Sequence, residues 1–210
     1  MNFLEQAWEQ REEDLYKSLF GDTGKGIYPL HFDLFKKQFG YDNVDPRWLH
    51  YGVFKCPPNE NRNSWLYVSS GMSNPWETDE KEEYSGLGTE LILETIKDES
   101  WAIPLVQSLI AFNILLSIGK YGDRPLLEHW ARIPQPIEPN ISHLVLGVPE
   151  NIPETIDLIS GSVDLLQIVG LTQTEFDYAK ENGSPAVCDL LKKAGIYPIT
   201  DPKRESVVIA

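Results

Sequence analysis

Residues 101–119 read Trp101-Ala-Ile-Pro-Leu-Val-Gln-Ser-Leu-Ile-Ala-Phe-Asn-Ile-Leu-Leu-Ser-Ile-Gly119, without a single charge. A run of this length stands at the lower edge of what crosses a bilayer. Pro104, Gln107, Ser108, Asn113 and Ser117, however, fall on all sides of a helical wheel. A helix that is apolar on nearly every side also occurs at the centre of a large water-soluble domain. No second candidate span exists, so we read the run as a buried helix packed on a sheet.

The segments around it supply that sheet. Ser64–Ser70 (SWLYVSS) and Thr89–Ile96 (TELILETI) read as strands, and Arg47–Cys56 alternates Trp48, His50, Gly52 and Phe54 with Leu49, Tyr51 and Val53. Gly71–Gly88 between them reads as a long connection of the kind that tends to be functional. Beyond the central helix, the Pro-rich 132–140 stretch reads as an extended connection within one domain, leading to strands at Ser142–Val148 and Val163–Val169. Asn2–Phe20 has Leu4, Trp8, Leu15 and Leu19 at helical spacing, and a short helix around Phe32, Phe35 and Phe39 closes at Gly40. Thr172 and Glu175 form a capping box for a helix ending at Gly183. Ser184 as N-cap and Pro185 at the first position start the last helix, which turns Val187, Leu190, Leu191 and Ala194 inward and stops at Gly195. The expected class is α/β (α+β): a mixed, largely antiparallel sheet flanked by helices, one compact domain over 1–210.

Composition narrows the function. The 210 residues carry 32 acidic against 18 basic side chains, a formal charge of −14, with 41% hydrophobic residues. A chain of this size buries roughly 70% of its unfolded surface and needs no disulfide or metal staple. A pI near 4.6 argues against nucleic acid and anionic lipid, since both demand basic residues. Two unpaired cysteines, Cys56 and Cys188, and an N-terminus without a signal-peptide pattern point to a cytoplasmic location.

No catalytic constellation emerges. Gly21-Asp22-Thr23-Gly24-Lys25-Gly26 is too short for a P-loop and follows a helix, and Ser85-Gly86-Leu87-Gly88 reads as a turn. His31, His50, His129 and His143 have no metal-ligand spacing, so neither metal nor cofactor is expected. Glu90 and Glu94 share a strand face and read as a solvated edge opposite Leu91 and Leu93. The acidic run at Glu77, Asp79, Glu80, Glu82 and Glu83, beside Trp76 and Tyr84, reads as a solvated loop or a recognition surface for a basic peptide.

Several ordered segments resemble the suppressor of fused family. Ser64-Trp65-Leu66-Tyr67-Val68-Ser69-Ser70-Gly71-Met72-Ser73 is similar to its H-W-H-Y-x-S-x-G-L-S strand, with Ser64 and Leu66 replacing the histidines. Ser85–Leu91 is similar to its S-G-x-G-x-E-L start, and Trp101-Ala102-Ile103-Pro104 leads into its central helix. Leu165–Thr172, Glu175, Asn182-Gly183, Asp189–Leu191, Ile199–Asp201 and Arg204 complete a match that is clearest over 64–205. The resemblance implies a non-enzymatic protein-binding domain. In animal members a second domain joins it in clamping a transcription-factor peptide, partly by strand addition. Bacterial single-domain relatives are associated with toxin loci as immunity proteins, the type this chain resembles. Tyr67, on the matched strand, and Trp76 with Asp79, in the loop after it, are the expected protein-contact residues, and Trp65 is expected in the core. The expected partner is a protein, a basic toxin domain, met in the cytoplasm. The competing readings are a hydrolase using His50 or His143 with a carboxylate, and a regulatory peptide-binding module.

Overall fold

The computed structural model describes residues 2–208. Its centre is an eight-stranded sheet. The strands are β1 (Tyr28–Pro29), β2 (Gly52–Cys56), β3 (Trp65–Ser70), β4 (Tyr84–Thr95), β5 (Arg132–Ile133), β6 (His143–Gly147), β7 (Thr155–Leu158) and β8 (Gly161–Leu171). Their order is β1-β2-β3-β4-β8-β6-β5, with β7 also on β8. Every pairing is antiparallel except β4 with β8. This is the expected mixed, largely antiparallel sheet with flanking helices.

The uncharged run forms α3 (Ala102–Ser117). Sixteen residues span about 24 Å, short of a bilayer's hydrocarbon core. No helix among the described residues is long and apolar enough to cross a membrane. The polar side chains that broke the apolar pattern each have a partner in the protein. Gln107 Nε2 donates to the carbonyls of Tyr28 and Pro29, Ser108 Oγ accepts from Gln38, and Asn113 Oδ1 accepts from the Leu127 amide. The helix covers one face of the sheet, against Leu91, Leu93, Leu166 and Ile168.

The opposite face is covered twice. The N-terminal helix α1, which runs α-helical through Phe3–Glu9, π-helical through Gln10–Leu15 and α-helical through Tyr16–Phe20, puts Tyr16 and Phe20 on Phe54, Leu66, Ile92 and Leu165. Beside it, α4 (Gln173–Asn182) and α5 (Ser184–Lys193) pack Ala179, Val187 and Leu191 on Val145, Val169 and Leu171. With cover on both faces, β8 is apolar from Leu165 to Leu171 apart from Gln167 and Gly170, the pattern of a strand buried on two sides.

Several elements differ from the sequence reading. Pro46–His50 is a 3₁₀ turn instead of strand, because Asp45 caps it through the Arg47 amide and Pro46 takes its first position. The strand there starts only at Gly52. Ser85–Gly88 is no turn but the irregular start of β4, where Gly86 (φ +57°) and Gly88 (φ +72°) shift the register. β7 was not foreseen. In α1 the buried positions are Ala7, Arg11, Tyr16 and Phe20, while Leu4, Trp8, Leu15 and Leu19 are only half-buried. The Tyr16 amide donates to the Arg11 carbonyl, five residues back, and this π turn brings Tyr16 under Arg11. The short α2 (Leu34–Gln38) is also a π turn and closes at Gly40 as expected. The Thr172/Glu175 capping box is present. Ser184 does not cap α5; it is the first residue of that helix, and its hydroxyl donates to the Trp130 carbonyl. Within α5, Cys188 is buried where Ala194 was expected, and Ala194 is exposed.

Candidate protein-binding surface

Glu90 and Glu94 are not a solvated edge: they are 0% and 6% exposed. Alternation puts them with Ile92 on the face that α1 covers, so their surroundings come from a helix far away in the chain. Glu90 organises the loop that follows β3. Its Oε1 accepts from the Gly71 amide (3.0 Å), the Ser73 amide (3.0 Å) and the Ser73 hydroxyl (2.7 Å), and Oε2 accepts from Ser69 Oγ. Arg11, 1% exposed, lies 3.9 Å from Oε1 and donates to Ser73 Oγ (2.9 Å) and Asn74 Oδ1 (2.8 Å). Burial works against the Arg11 charge, but Glu90, Tyr16 and Glu12 around it outweigh burial and hold the guanidinium above its usual pKa. Both Glu90 oxygens and both terminal nitrogens of Arg11 are hydrogen-bonded, and Arg11 Nε alone lacks a partner among the described residues, so the pair meets most of the condition under which a buried pair is tolerated.

From above, the Ser85 hydroxyl donates to the Ser73 carbonyl (2.6 Å) and the Leu87 amide to the Met72 carbonyl (2.7 Å). A Cβ on Gly86 would stand 2.6 Å from that same Met72 oxygen, so glycine is required twice, for its φ and for the close approach. Residues 71–74 are therefore fixed from below, above and the side.

This platform carries Trp76. Its Nε1 donates to Tyr51 Oη (3.0 Å), and its ring meets Trp8 edge-on at 5.9 Å and His50 at 6.2 Å. Burial pushes the Tyr51 hydroxyl up to about 12, against the Trp76 hydrogen bond, which pulls it down. The Arg47 guanidinium stands 5.9 Å from the Trp76 ring centre and is held by Asp45 (2.7 Å) and Glu77 (2.5 Å). Beside Trp76 opens a cleft of about 430 Å³ bounded by Trp48, Met72, Leu87 and Ile118 and rimmed by Glu77 and Glu82. Asp79, Glu80, Glu82 and Glu83 continue the rim as exposed side chains, with Lys81 the one base among them.

Of the expected contact residues, the structure sets Trp76 beside this cleft, leaves Asp79 exposed in the loop that follows and keeps Tyr67 inside. Tyr67 has no exposed surface; it packs in the core beneath α3, where its hydroxyl donates to Asp98 Oδ1 (3.1 Å) and accepts from the Glu99 amide (3.0 Å). Burial pushes its pKa up to about 12. Trp65 is half-buried under Lys55, whose ammonium stands 5.2 Å over the ring. Sequence reasoning missed Arg11 and Glu90. Their signal was present: a lone arginine four residues after Ala7 in an acidic helix, and hydroxyl and glycine donors clustered at 69–73.

The histidines stay apart. His31 accepts from the Leu34 amide, His50 joins the Trp8/Trp76 rings, His129 faces Glu154 at 3.7 Å, and His143 stacks on Phe176 at 3.5 Å. Neither His50 nor His143 is among the residues that line the Trp76 cleft, and the carboxylate whose charge acts on His143 is Asp177. Among the described residues no group of three or more His, Cys, Asp or Glu side chains is placed to hold a metal ion.

No curated protein matches this sequence. Solved structures do. A chain from a crystal structure of the Sufu–Fu complex superposes with a TM-score of 0.65 at 20% identity, covering 92% of this chain and 89% of that one. A suppressor of fused homolog from Neisseria gonorrhoeae gives 0.60 at 15% identity, covering 99% and 96%. Drosophila Suppressor of Fused gives 0.58 at 20%, covering 75% of this chain, which spans 42% of the fly protein. At such identities these likenesses speak for the fold. The sequence itself matches the family model described as Suppressor of fused protein across residues 47–205, more than half of its length. The chain belongs to the suppressor of fused family.

Proposed function

We propose that the chain is a non-catalytic protein-binding domain of the cytoplasm, which neutralises a toxin by binding that toxin's basic face. One observation carries the reading: the exposed acidic run Glu77 to Glu83 follows Trp76, which walls an aromatic cleft edged by Glu77 and Glu82, beside the 71–74 loop held by the Glu90–Arg11 network. Rigid placement lowers the ordering cost of association. A net charge of −14 steers a basic partner towards the surface and speeds the encounter at low salt. Trp76 is the aromatic anchor and Asp79 a charge contact; Tyr67, fully buried, belongs to the core and meets no protein partner.

The test takes a toxin domain captured with this chain from its native host, its toxicity on co-expression with this chain, and association rates across a salt series. Wild type protects the host, and its on-rate falls as salt rises. Asp79→Lys combined with Glu80→Lys, both on exposed side chains, leaves the melting curve in place, flattens the salt dependence and removes protection. Protection and salt slope both unchanged in that double variant would remove the rim from the binding site.

A further inference from the structure

A second cleft, of about 440 Å³, lies away from the Trp76 surface, between the C-terminal end of α1, the 59–62 turn and the loop after β6. Glu94 lines it, 6% exposed. Its Oε2 accepts from the Ser64 hydroxyl, and Oε1 accepts from no described group. Arg62, the neighbouring base, has its donors committed elsewhere: Nε to the Ser64 carbonyl, Nη1 to that of Phe20, Nη2 to those of Cys56 and Pro57. The carboxyl is therefore sunk in the protein with one oxygen open to the cleft and no cation bound to it. Burial, with Glu150 nearby, raises its pKa and outweighs the Ser64 hydrogen bond and the Arg62 charge, which pull it down.

We propose that this cleft binds a primary alkylammonium group, with Glu94 as its counterion. The donor set selects the class. A guanidinium is matched by two carboxylate oxygens in parallel, and here Ser64 takes one of them. A point-like ammonium needs only the open oxygen. Leu19, Leu66, Ile152 and Pro198 line the walls and suit an alkyl stem, while Glu150, the lining carboxylate nearby, is paired with Lys192 at 3.6 Å. The chemistry fits a short diamine and a lysine side chain alike. The proposal is independent of the toxin-binding reading, because the two clefts share no lining residue.

Calorimetric titration of the whole chain at neutral pH tests it with three probes: 1,4-diaminobutane, N-acetyl-lysine amide and, as neutral control, 1-butanol. The expected result is saturable binding of one or both amines and none of butanol; which amine binds more tightly tells a free amine from a peptide side chain. Glu94→Gln keeps the shape and the acceptor for Ser64 but removes the charge. It should weaken amine binding roughly tenfold to a hundredfold, the worth of a charged hydrogen bond. Glu83→Gln, on the distant rim, should change nothing. Wild-type affinity should also fall in acid as Glu94 takes a proton. The charged groups around it are Arg62 and Glu60 from the turn, Lys17 from α1, Glu150 from its loop, and Tyr197 and Lys192 beyond. This pH arm needs no variant to fold. No saturable heat with either amine, equal heat with butanol, or undiminished binding by Glu94→Gln would each overturn the proposal.

Discussion

Replacing Arg204 with methionine should remove about 3–5 kcal/mol of stability at neutral pH, the usual cost of breaking a buried pair. The figure follows from the contacts. Arg204 grips Glu175 with both ends of its fork, Nη1 to Oε1 at 2.6 Å and Nη2 to Oε2 at 2.5 Å, and Nη2 also reaches the Gly170 carbonyl at 2.8 Å. Glu175 is 0% exposed and Arg204 8%, so solvent cannot replace what is lost. Two charged hydrogen bonds at about 1.5–3 kcal/mol each give the same range. What remains on Glu175 is the Thr172 amide, the bond that completes the capping box of α4, and the Val207 amide. For a chain of this size the loss corresponds to a melting temperature lower by roughly 6–20 °C.

The pH dependence carries a sign. Burial pushes the Glu175 carboxyl up, but Arg204 and the two amides outweigh it and hold the group below its ordinary 4.5. The pair's contribution is therefore fully present above pH 4.5 and is lost as pH falls through the lowered folded value. In the variant, burial acts without the arginine, and a proton on Glu175 relieves the strain. The gap between the two proteins should then be widest near neutrality and close in acid. Urea unfolding followed by tryptophan fluorescence and circular dichroism, repeated from neutral to acid pH, reads both quantities. A loss under about 1 kcal/mol, or a gap that ignores pH, would refute the reasoning, since an uncompensated buried carboxylate cannot give either.

Tyr67→Ala should cost about 3–5 kcal/mol as a core cavity, and Tyr67→Phe only about 1 kcal/mol for the lost hydroxyl; thermal unfolding that leaves Tyr67→Ala unchanged would place the ring outside the core. Gly86→Ala should lower the melting temperature and alter the near-ultraviolet dichroism of Trp76, because the new methyl meets the Met72 carbonyl at 2.6 Å and the residue must hold φ +57°. An unchanged spectrum would show that the 71–76 loop is not set by that contact.

Those elements whose determinants are local could be read from the sequence. The apolar run gave α3, the Thr172/Glu175 spacing gave the start of α4, and SWLYVSS gave β3. Pro46–His50 misled because its aromatic alternation has a strand's period, while a single cap and a proline decide the backbone there. β7 is four residues long with two exposed polar side chains, Thr155 and Asp157, and owes its place to the hairpin with β8. The candidate surface was half legible. Trp76 and the acidic run stand on it, but whether Tyr67 or Glu90 faces solvent depends on α3 and α1 folding over opposite faces. That is a matter of distant packing, and alternation along a strand names two faces without saying which is covered.

The π turn in α1 has a consequence for how this chain tolerates changes of length. Ala7 before it, Arg11 near its start, and Tyr16 and Phe20 after it lie in the core only because residues 10–15 hold one residue more than an α-helical path would. Deleting any one of those six would let the helix close into ordinary turns and rotate one half against the other by about a hundred degrees. Either Arg11 would leave Glu90, and with it the loop bearing Trp76, or Tyr16 would leave the Ser69 carbonyl that its hydroxyl holds at 2.7 Å. Glu13 and Asp14 are its exposed side chains, on the kind of surface where substitutions are ordinarily harmless, while Arg11 is buried. At the exposed positions the spelling is free, but the letter count is not.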